Sequence, residues 1–531
     1  MRTQSPLRAA VVALTLLVTT GITTAITTGV AAPAYAGTTS MTFVDITASD
    51  GVVLKANVIE STSPGRHPAV VFPSSWGLND LEYLAQAQAM ASAGYTVLSY
   101  TPRGWWSSGG QIDTAGPKDI RDVSTVIDWL LAHTSADPAH IGMGGVSYGA
   151  GISLIASGND ARIRAVAALS GWSDLAASLY GDQTRRQQAP ALLQGTAMLL
   201  GRTSPEFDTV ISDFWNYRNV PGVLAFAGVR SAKTYLAGIN ANQPAILMAN
   251  AFGDSVFPPN QLVDFYGSLS TPKRLEFSPG DHAIPELTGI AGLDNAVWTS
   301  ARRWFDHYLA GAANGIDTEA PIVLRPNGGG AAEAYASWAA VSTSTTRYGL
   351  GEVHWWDGTG DLGGTPSTGW SRFTWTDLGT SADGGVVLIS NGLTALTGQP
   401  PTAWLPGVDR GHAGVWISSS LGSTLKIRGI PTVHLRITPS ASNGTLIAYV
   451  YDVDGLGTGS LLTHAPISWH GASAGSPLTL DLRLPATAWN VPAGHKLALV
   501  VDGHDPLYLD DNGALANVSF SGSAWLDLPR R

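Results

Sequence analysis

A serine between two glycines is the strongest chemical signal in the sequence. Residues 145–149 read Gly-Val-Ser-Tyr-Gly, after an apolar stretch that begins at Ile141 and before the helix-prone residues 150–156. A nucleophile between a strand and a helix occupies a tight turn, and only small residues two positions to either side leave room for it. Such a turn presents the hydroxyl at the carboxyl edge of a parallel sheet. The pattern therefore predicts Ser147 as a catalytic nucleophile.

A serine hydroxyl is a weak nucleophile near neutral pH and needs a base with a group to orient it. In proteins with this turn the acid and the histidine follow the serine in chain order, each after a later strand. Asp254 follows the apolar residues 245–249, and His282 follows residues 274–277. Asp281 competes with Asp254, but a neighbour on the same loop would have difficulty reaching the imidazole Nδ1–H. We therefore predict Asp254 as the acid and His282 as the general base.

Two N–H groups are expected to bind the oxyanion that such chemistry creates. One is the main-chain N–H of Tyr148, directly after the nucleophile. The second should come from the loop at 73–77, through the main-chain N–H of Ser75 or Trp76 or through the indole of Trp76, and the sequence does not choose among them. Trp105, beside another loop edge, is a candidate substrate contact, although most of the 18 tryptophans must belong to the core.

The composition limits the other possibilities. The 531 residues include 40 acidic and 30 basic side chains, a formal net charge of −10, without a basic run that would predict nucleic acid binding. The absence of cysteine excludes disulfides, a thiolate nucleophile and cysteine-ligated zinc. The acidic turn at 451–455 lacks the ligand set of a calcium loop. We therefore expect no metal and no cofactor.

Over residues 41–315, short apolar segments typical of strands alternate with segments typical of helices, and these elements could position the candidate residues. This alternation predicts an α/β class with a parallel sheet covered on both faces. Residues 173–242 read as a helical insertion after a strand end, where it could fold over that end as a cap.

From residue 318 to 531 the helical signal gives way to strict alternation. Residues 433–437, 478–484 and 497–501 each alternate apolar and polar side chains, separated by turns rich in Gly, Pro, Ser and Asn. Period-two patterns of this kind are typical of half-buried antiparallel strands. They predict a C-terminal β-sandwich, for which a jelly roll is one arrangement.

The N-terminal residues 1–36 have the features of a secretory signal peptide. Arg2 and Arg8 form a positive start, an apolar run follows, and Ala34-Tyr35-Ala36 is a small-x-small cleavage site. We therefore expect cleavage after residue 36, a secreted protein, and no membrane association afterwards. No later segment approaches the roughly 20 apolar residues of a membrane span.

Several of these motifs together resemble the cocaine esterase / X-Pro dipeptidyl-peptidase family of serine hydrolases. The resemblance rests on the serine pentapeptide, the Pro-Arg-Gly-Trp segment at 102–105 with Ser-Ser-Gly-Gly at 107–110, and the loops of Asp254 and His282. It implies an α/β-hydrolase core, a helical cap and a C-terminal jelly roll, with Ser147, Asp254 and His282 as the triad. The family often has a tyrosine where this chain has Trp76, so here the main chain or the indole must serve the oxyanion.

The leading hypothesis is therefore a secreted serine hydrolase that cleaves an ester or amide through an acyl-enzyme. The resemblance allows an X-Pro dipeptidyl-peptidase, a small-ester hydrolase or an enzyme like a β-lactam acylase, acting on a small ester or short peptide. A dipeptidyl-peptidase would need a carboxylate for the free amine, and the sequence does not reveal one. The alternative hypothesis is a secreted, non-catalytic binding protein on a hydrolase scaffold. The oligomeric state stays open.

Overall fold

The structure, a computed structural model, describes residues 38–531, and the predicted signal peptide at 1–36 lies outside them. Over residues 38–531 there is no helix with both the length and the apolar character needed to cross a membrane. This part of the chain folds into two β-sheet systems, and helices pack around the first of them.

Ten strands form the first sheet, in the spatial order β1-β2-β4-β3-β5-β6-β7-β8-β9-β10. Their bounds are β1 Thr39–Thr47, β2 Val53–Ser61, β3 His67–Pro73, β4 Thr96–Tyr100, β5 Ala136–Val146, β6 Ile163–Leu169, β7 Ala245–Ala251, β8 Lys273–Ser278, β9 Ile322–Leu324 and β10 Glu333–Tyr335. Neighbours from β4 through β9 pair in parallel, whereas β1, β2 and β10 pair antiparallel. The α/β class is confirmed, but the sheet is mixed at both edges.

Helices cover both faces of this sheet, as the alternation of apolar segments predicts. They are α1 Leu84–Ser92, α2 Pro117–His133, α3 Tyr148–Ser157, α4 Leu175–Leu179, α5 Gln188–Leu200, α6 Pro205–Trp215, α7 Val220–Gly228, α8 Leu236–Asn242, α9 Asn260–Ser268, α10 Leu287–Ile290 and α11 Ala296–Tyr308. Helices α4 to α8 all lie between β6 and β7, within the predicted insertion at 173–242. We call the part of this insertion from α4 through α7 the cap.

The second system has 14 strands that form two layers joined through β11. The strands are β11 Ser344–Val353, β12 Gly360–Leu362, β13 Ser371–Trp375, β14 Thr402–Trp404, β15 Ala413–Ile417, β16 Leu425–Gly429, β17 Thr432–Pro439, β18 Gly444–Val453, β19 Thr458–Trp469, β20 Leu478–Arg483, β21 Thr487–Val491, β22 Lys496–Asp502, β23 Asn517–Ser521 and β24 Trp525–Arg530. Trp416 from one layer packs edge-on against Phe520 from the other, with ring centroids 5.5 Å apart. The alternating side chains thus enclose a sandwich core.

Two features of the sequence pattern are modified by the structure. Strands β9 and β10 follow residue 315 but still pair with the first sheet, so that sheet extends past the boundary expected from the sequence. The sandwich also contains a helix, α12 Ser390–Thr397, although the helical signal vanishes after residue 321. This helix packs against the first unit, as described below.

Candidate active site

The nucleophile turn connects β5 to α3 at the carboxyl edge of the parallel strands. Ser147 lies between them with φ 56° and ψ −113°, a conformation that an L-residue rarely adopts. A Cβ on Gly149 would come within 2.1 Å of the carbonyl oxygen of Pro73, and Gly145 has φ 157°. The glycines therefore permit the close approach of β3 and α3 that projects the Ser147 hydroxyl.

The three residues predicted as a triad come together in the structure. The Nε2 atom of His282 lies 2.8 Å from Ser147 Oγ, and its Nδ1 atom lies 3.0 Å from Asp254 Oδ2. The second carboxylate oxygen of Asp254 accepts main-chain N–H bonds from Val256 at 2.9 Å and Phe257 at 2.6 Å. The carboxylate is therefore held by its own loop while it faces the imidazole.

Asp281, the competing acid, makes its hydrogen bonds to groups other than the imidazole ring. Its Oδ1 accepts hydrogen bonds from the main-chain N–H and hydroxyl of Ser255 and from the main-chain N–H of His282, each at 2.7 Å. Asp281 therefore joins the loop that carries Asp254 to the loop that carries His282.

Three buried carboxyl groups shape the electrostatics around the imidazole. Burial by itself opposes a charged imidazolium, but the Asp254 carboxylate, with help from Asp281 and Glu286, leaves the pKa of His282 raised. Burial, and then the charge of Asp254, raises the pKa of Asp281 to about 6. Burial also raises the pKa of Glu286 to about 7, although the hydroxyl of Ser170 donates to it at 3.0 Å. The site therefore favours a protonated imidazole more than water would.

The three candidate donors for the oxyanion are used differently in the structure. The main-chain N–H of Ser75 donates to Glu82 at 2.6 Å, and the indole of Trp76 donates to the Leu193 carbonyl at 2.9 Å. Within residues 38–531, the main-chain N–H groups of Trp76 and Tyr148 donate to no protein acceptor. These two N–H groups are therefore the ones left free to bind an oxyanion.

A buried acid fixes the loop that carries Trp76. Glu82 accepts from both the main-chain N–H and the hydroxyl of Ser75, and that hydroxyl also lies 2.9 Å from the Val146 carbonyl beside the nucleophile. The hydroxyl of Tyr83 accepts the Val146 N–H at 2.9 Å. Burial raises the pKa of Glu82 to about 7. Sequence patterns gave no signal for Glu82 or Tyr83, because their role depends on contacts across the sheet edge.

Trp105, the candidate substrate contact, packs against Trp76 and is absent from the cavity lining. Its side chain is fully buried, and its ring packs edge-on against Trp76 with centroids 4.7 Å apart. Trp76 in turn packs edge-on against Tyr148 at 5.2 Å. Trp105 is not among the side chains that line the neighbouring cavity. Its position is suited to supporting Trp76, and Trp76 itself reaches the cavity.

A cavity between the cap and the nucleophile opens directly at Ser147. It contains about 880 Å³ of empty space, with its open mouth included. Trp76, Trp172 and Phe257 line it near the triad, and Phe257 packs edge-on against the His282 ring at 5.1 Å. Each of α4, α5, α6 and α7 contributes further apolar side chains. We call this space the cap cavity.

The sandwich contacts the loop that carries Asp254. The amide of Asn391, in α12, donates to the Gly253 carbonyl at 2.8 Å, and the main-chain N–H of Leu388 donates to the Ser255 hydroxyl at 3.2 Å. That hydroxyl donates to Asp281. The second unit therefore supports the loop of the acid, a function that the sequence does not reveal because these residues are more than 100 positions apart.

The strand order, the serine turn and the following loops define the chain as an α/β-hydrolase. Residues 50–284 match the X-Pro dipeptidyl-peptidase (S15) family, and residues 314–515 match the X-Pro dipeptidyl-peptidase C-terminal non-catalytic domain. The chain belongs to the cocaine esterase / X-Pro dipeptidyl-peptidase family of serine hydrolases. It is a hydrolase of peptide or ester bonds.

Solved structures share the fold over nearly the whole chain. An alpha-amino acid ester hydrolase superimposes with a TM-score of 0.73 at 16% identity, covering 95% of this chain and 99% of the other. An aminopeptidase from a marine sediment archaeon, Thaumarchaeota archaeon, has a TM-score of 0.70 at 14% identity, covering 94% and 97%. A CocE/NonD family hydrolase from Staphylococcus aureus has a TM-score of 0.70 at 12% identity, covering 92% and 94%.

A curated relative matches a shorter region. The thiohydrolase apmlB of Arthrinium phaeospermum is 31% identical over 129 residues, which is 24% of this chain. The match spans about two fifths of that relative's length, at 41%.

Proposed function

We propose that the enzyme cleaves its substrate through an acyl-enzyme formed on Ser147. Ser147 Oγ attacks the substrate carbonyl while His282 Nε2 takes the hydroxyl proton, and Asp254 stabilises the resulting imidazolium. The imidazolium then gives its proton to the leaving group, and a water molecule activated by His282 releases the acid. The observation that supports this proposal most directly is the pair of hydrogen bonds, at 2.8 and 3.0 Å, that joins the three side chains.

The main-chain N–H groups of Tyr148 and Trp76 bind the oxyanion in this proposal. Tyr148 begins α3, so its N–H has no partner within the helix and points from the positive end of the helix dipole. The Trp76 N–H belongs to the loop after β3, which is where the fold class supplies its second donor. Removing one such donor typically lowers kcat by about 10²- to 10³-fold.

Replacement of the nucleophile tests the mechanism. Ser147→Ala is expected to lower kcat on an activated aryl ester by at least about 10³-fold, because the members of a triad act as a unit. It should also abolish covalent labelling by a fluorophosphonate, which mass spectrometry of the intact protein measures. Ser420→Ala, at an exposed serine of the sandwich, is the matched control and should keep both.

The two hypotheses give opposite results in this experiment. A non-catalytic binding protein would not react with the probe, and substitution of Ser147 would change nothing. Labelling of a different residue, or activity retained in Ser147→Ala, would contradict the proposed mechanism.

We further infer that the chain is exported and cleaved after residue 36. The positive start, apolar run and small-x-small site support this inference. Expression with its own N-terminus in a bacterial host should give protein in the exported fraction that begins at Gly37, as N-terminal sequencing would measure. Cytoplasmic protein that retains residues 1–36 would contradict it.

A further inference from the structure

No charged side chain lines the cap cavity in the part of the chain that the structure describes. Of the 21 described residues that line it, none is Asp, Glu, Lys, Arg or His. The few polar side chains are neutral. Gln194 Oε1 accepts from the Trp215 indole at 2.8 Å, whereas the buried hydroxyl of Thr114 has no partner among the described residues. The remaining wall is aliphatic or aromatic, with Leu179, Leu193 and Ile211 contributed by three different cap helices.

Two carboxyl groups near the lining of the cap cavity already have hydrogen-bond or ion-pair partners. Asp119 accepts from the Tyr148 hydroxyl at 2.6 Å and from the Ala115 N–H at 2.9 Å. Burial raises the pKa of Asp119 to about 8, and these two hydrogen bonds direct its carboxyl group away from the cavity. Asp113 accepts the Lys118 N–H at 2.7 Å and faces the guanidinium of Arg230 at 3.5 Å. Neither is available to a group inside the cavity.

The other acids near the cap face elsewhere. Glu206 has a side chain 63% exposed to solvent and lies 3.7 Å from Arg230. Asp174 caps the N-terminus of α4 and is paired with Lys233 in a neighbouring cleft. An ammonium group inside the cap cavity would therefore find no counter-charge.

Amino acid esters and dipeptides with a free N-terminus carry an ammonium group next to, or close to, the carbonyl that is cleaved. Burying an unpaired ammonium is strongly unfavourable, and the group instead loses its proton. An α-amino group has an ordinary pKa of about 7.7 to 8.0. At pH 6 only about one substrate molecule in 50 therefore has the neutral amine that the cavity could accept. An apolar acyl chain has no such cost and gains from leaving water.

We propose that the cap cavity receives an uncharged, apolar acyl chain, so that the enzyme prefers aliphatic or arylalkyl acyl esters to amino acid esters and dipeptides. This inference rests on the proposed acyl-enzyme at Ser147, because the acyl group must lie in the cavity that opens at that hydroxyl. It separates this chain in substrate class from proteins whose names specify an amino acid ester or an X-Pro dipeptide.

A pair of substrates that differ only in the amine tests the proposal. Ethyl 3-phenylpropanoate and L-phenylalanine ethyl ester have the same leaving group and the same ring. We expect kcat/KM to favour the phenylpropanoate by about 50-fold at pH 6, with the ratio falling toward a few-fold at pH 8 as the amine loses its proton. Titration of His282 affects both substrates equally and cancels in the ratio.

Chain length tests where the acyl group lies. Along p-nitrophenyl esters from acetyl to octanoyl, kcat/KM is expected to rise about threefold per methylene until the cavity is filled. Gln194→Glu places a carboxylate in the lining while keeping an acceptor for Trp215, and should lower the octanoyl-to-acetyl ratio by at least about tenfold. Gln399→Glu, at an exposed glutamine of the sandwich, adds the same charge elsewhere and should leave that ratio unchanged.

The outcomes separate this inference from the mechanism on which it rests. Three results would overturn the inference: a preference for the phenylalanine ester, no dependence of kcat/KM on chain length, or an unchanged octanoyl-to-acetyl ratio in Gln194→Glu. If Ser147 is still labelled in those cases, the mechanism stands without the inference. Fluorophosphonates with an octyl or an aminoheptyl chain repeat the comparison with fluoride as the shared leaving group, and the octyl probe should inactivate faster. If neither probe modifies Ser147, the mechanism fails and the inference fails with it.

Discussion

The charge state of one imidazole controls the proposed chemistry at the scale of single residues. His282 must be neutral to accept the proton of Ser147, yet Asp254, Asp281 and Glu286 together raise its pKa despite burial. As the pH falls through this raised pKa, the base becomes protonated and kcat/KM falls. The acidic limb of the pH profile therefore lies above the ordinary histidine value of 6.5.

Asp281→Asn should move this limb to lower pH. The substitution removes a negative charge that favours the imidazolium, and the amide oxygen can still accept from Ser255 and from the His282 N–H. The kcat/KM profile between pH 5 and 9 measures the shift. Asp294→Asn, at an exposed carboxylate, is the control. A limb that moves to higher pH, or moves equally in the control, would contradict this account.

At the scale of elements, the strand-turn-helix unit of β5 and α3 requires a residue without a side chain at position 149. A Cβ on Gly149 would lie only 2.1 Å from the Pro73 carbonyl oxygen, so no larger residue fits between α3 and β3. The main-chain N–H of Ser147 donates to Leu169 in β6 at 2.8 Å, which ties the strained residue to the sheet. Packing on three strands therefore maintains a conformation that the turn alone would not hold.

Gly149→Ala is expected to destabilise the protein by about 3 kcal/mol or more, since its Cβ would overlap a main-chain carbonyl that cannot move freely. It should also lower kcat by displacing Ser147. Gly267→Ala is the matched control: this glycine is exposed in α9 and its Cβ would meet no atom within 4 Å. That change should stabilise by about 0.5 to 1 kcal/mol. Urea denaturation measures both, and equal effects would refute the steric argument.

At the scale of the whole molecule, the sandwich supports the catalytic unit through the cap as well as through the acid loop. Arg185, before α5, pairs with Asp511 of the sandwich at 2.8 Å, and both side chains are largely buried. The main chain continues this contact, because the Leu509 N–H donates to the Arg185 carbonyl at 2.9 Å. A second interdomain pair, Arg483 with Asp264 at 2.8 Å, is half exposed.

Asp511→Ala should therefore cost about 2 to 4 kcal/mol of stability, because it leaves the Arg185 guanidinium buried without its counter-charge. Asp264→Ala, in the exposed pair between the same two units, should cost less than about 1 kcal/mol. Thermal unfolding followed by circular dichroism compares them. A larger loss in Asp264→Ala would mean that burial does not determine the strength of these contacts.

Local patterns predicted the elements well, because side-chain periodicity records which face of an element is buried. The buried parallel strands, the helices between them and the alternating strands of the sandwich follow from such periods. The antiparallel hairpin of β1 and β2 was not predicted, although its strands adjoin in the chain. The extension of the first sheet to β10 and the helix α12 did not follow either, since each depends on a partner far along the chain. Trp105 is a similar case, because its burial depends on Trp76 and the cap.

The sequence by itself determined the fold class and the three residues proposed for the triad, because a strained serine turn and two strand-end loops leave local signals in residue type and order. Only the tertiary structure decided which candidate N–H groups lack a protein acceptor, where Glu82, Glu286 and Asn391 lie, and that the described lining of the cap cavity carries no charged side chain. Those properties arise from contacts between segments separated by tens to hundreds of residues, and no local pattern records such contacts.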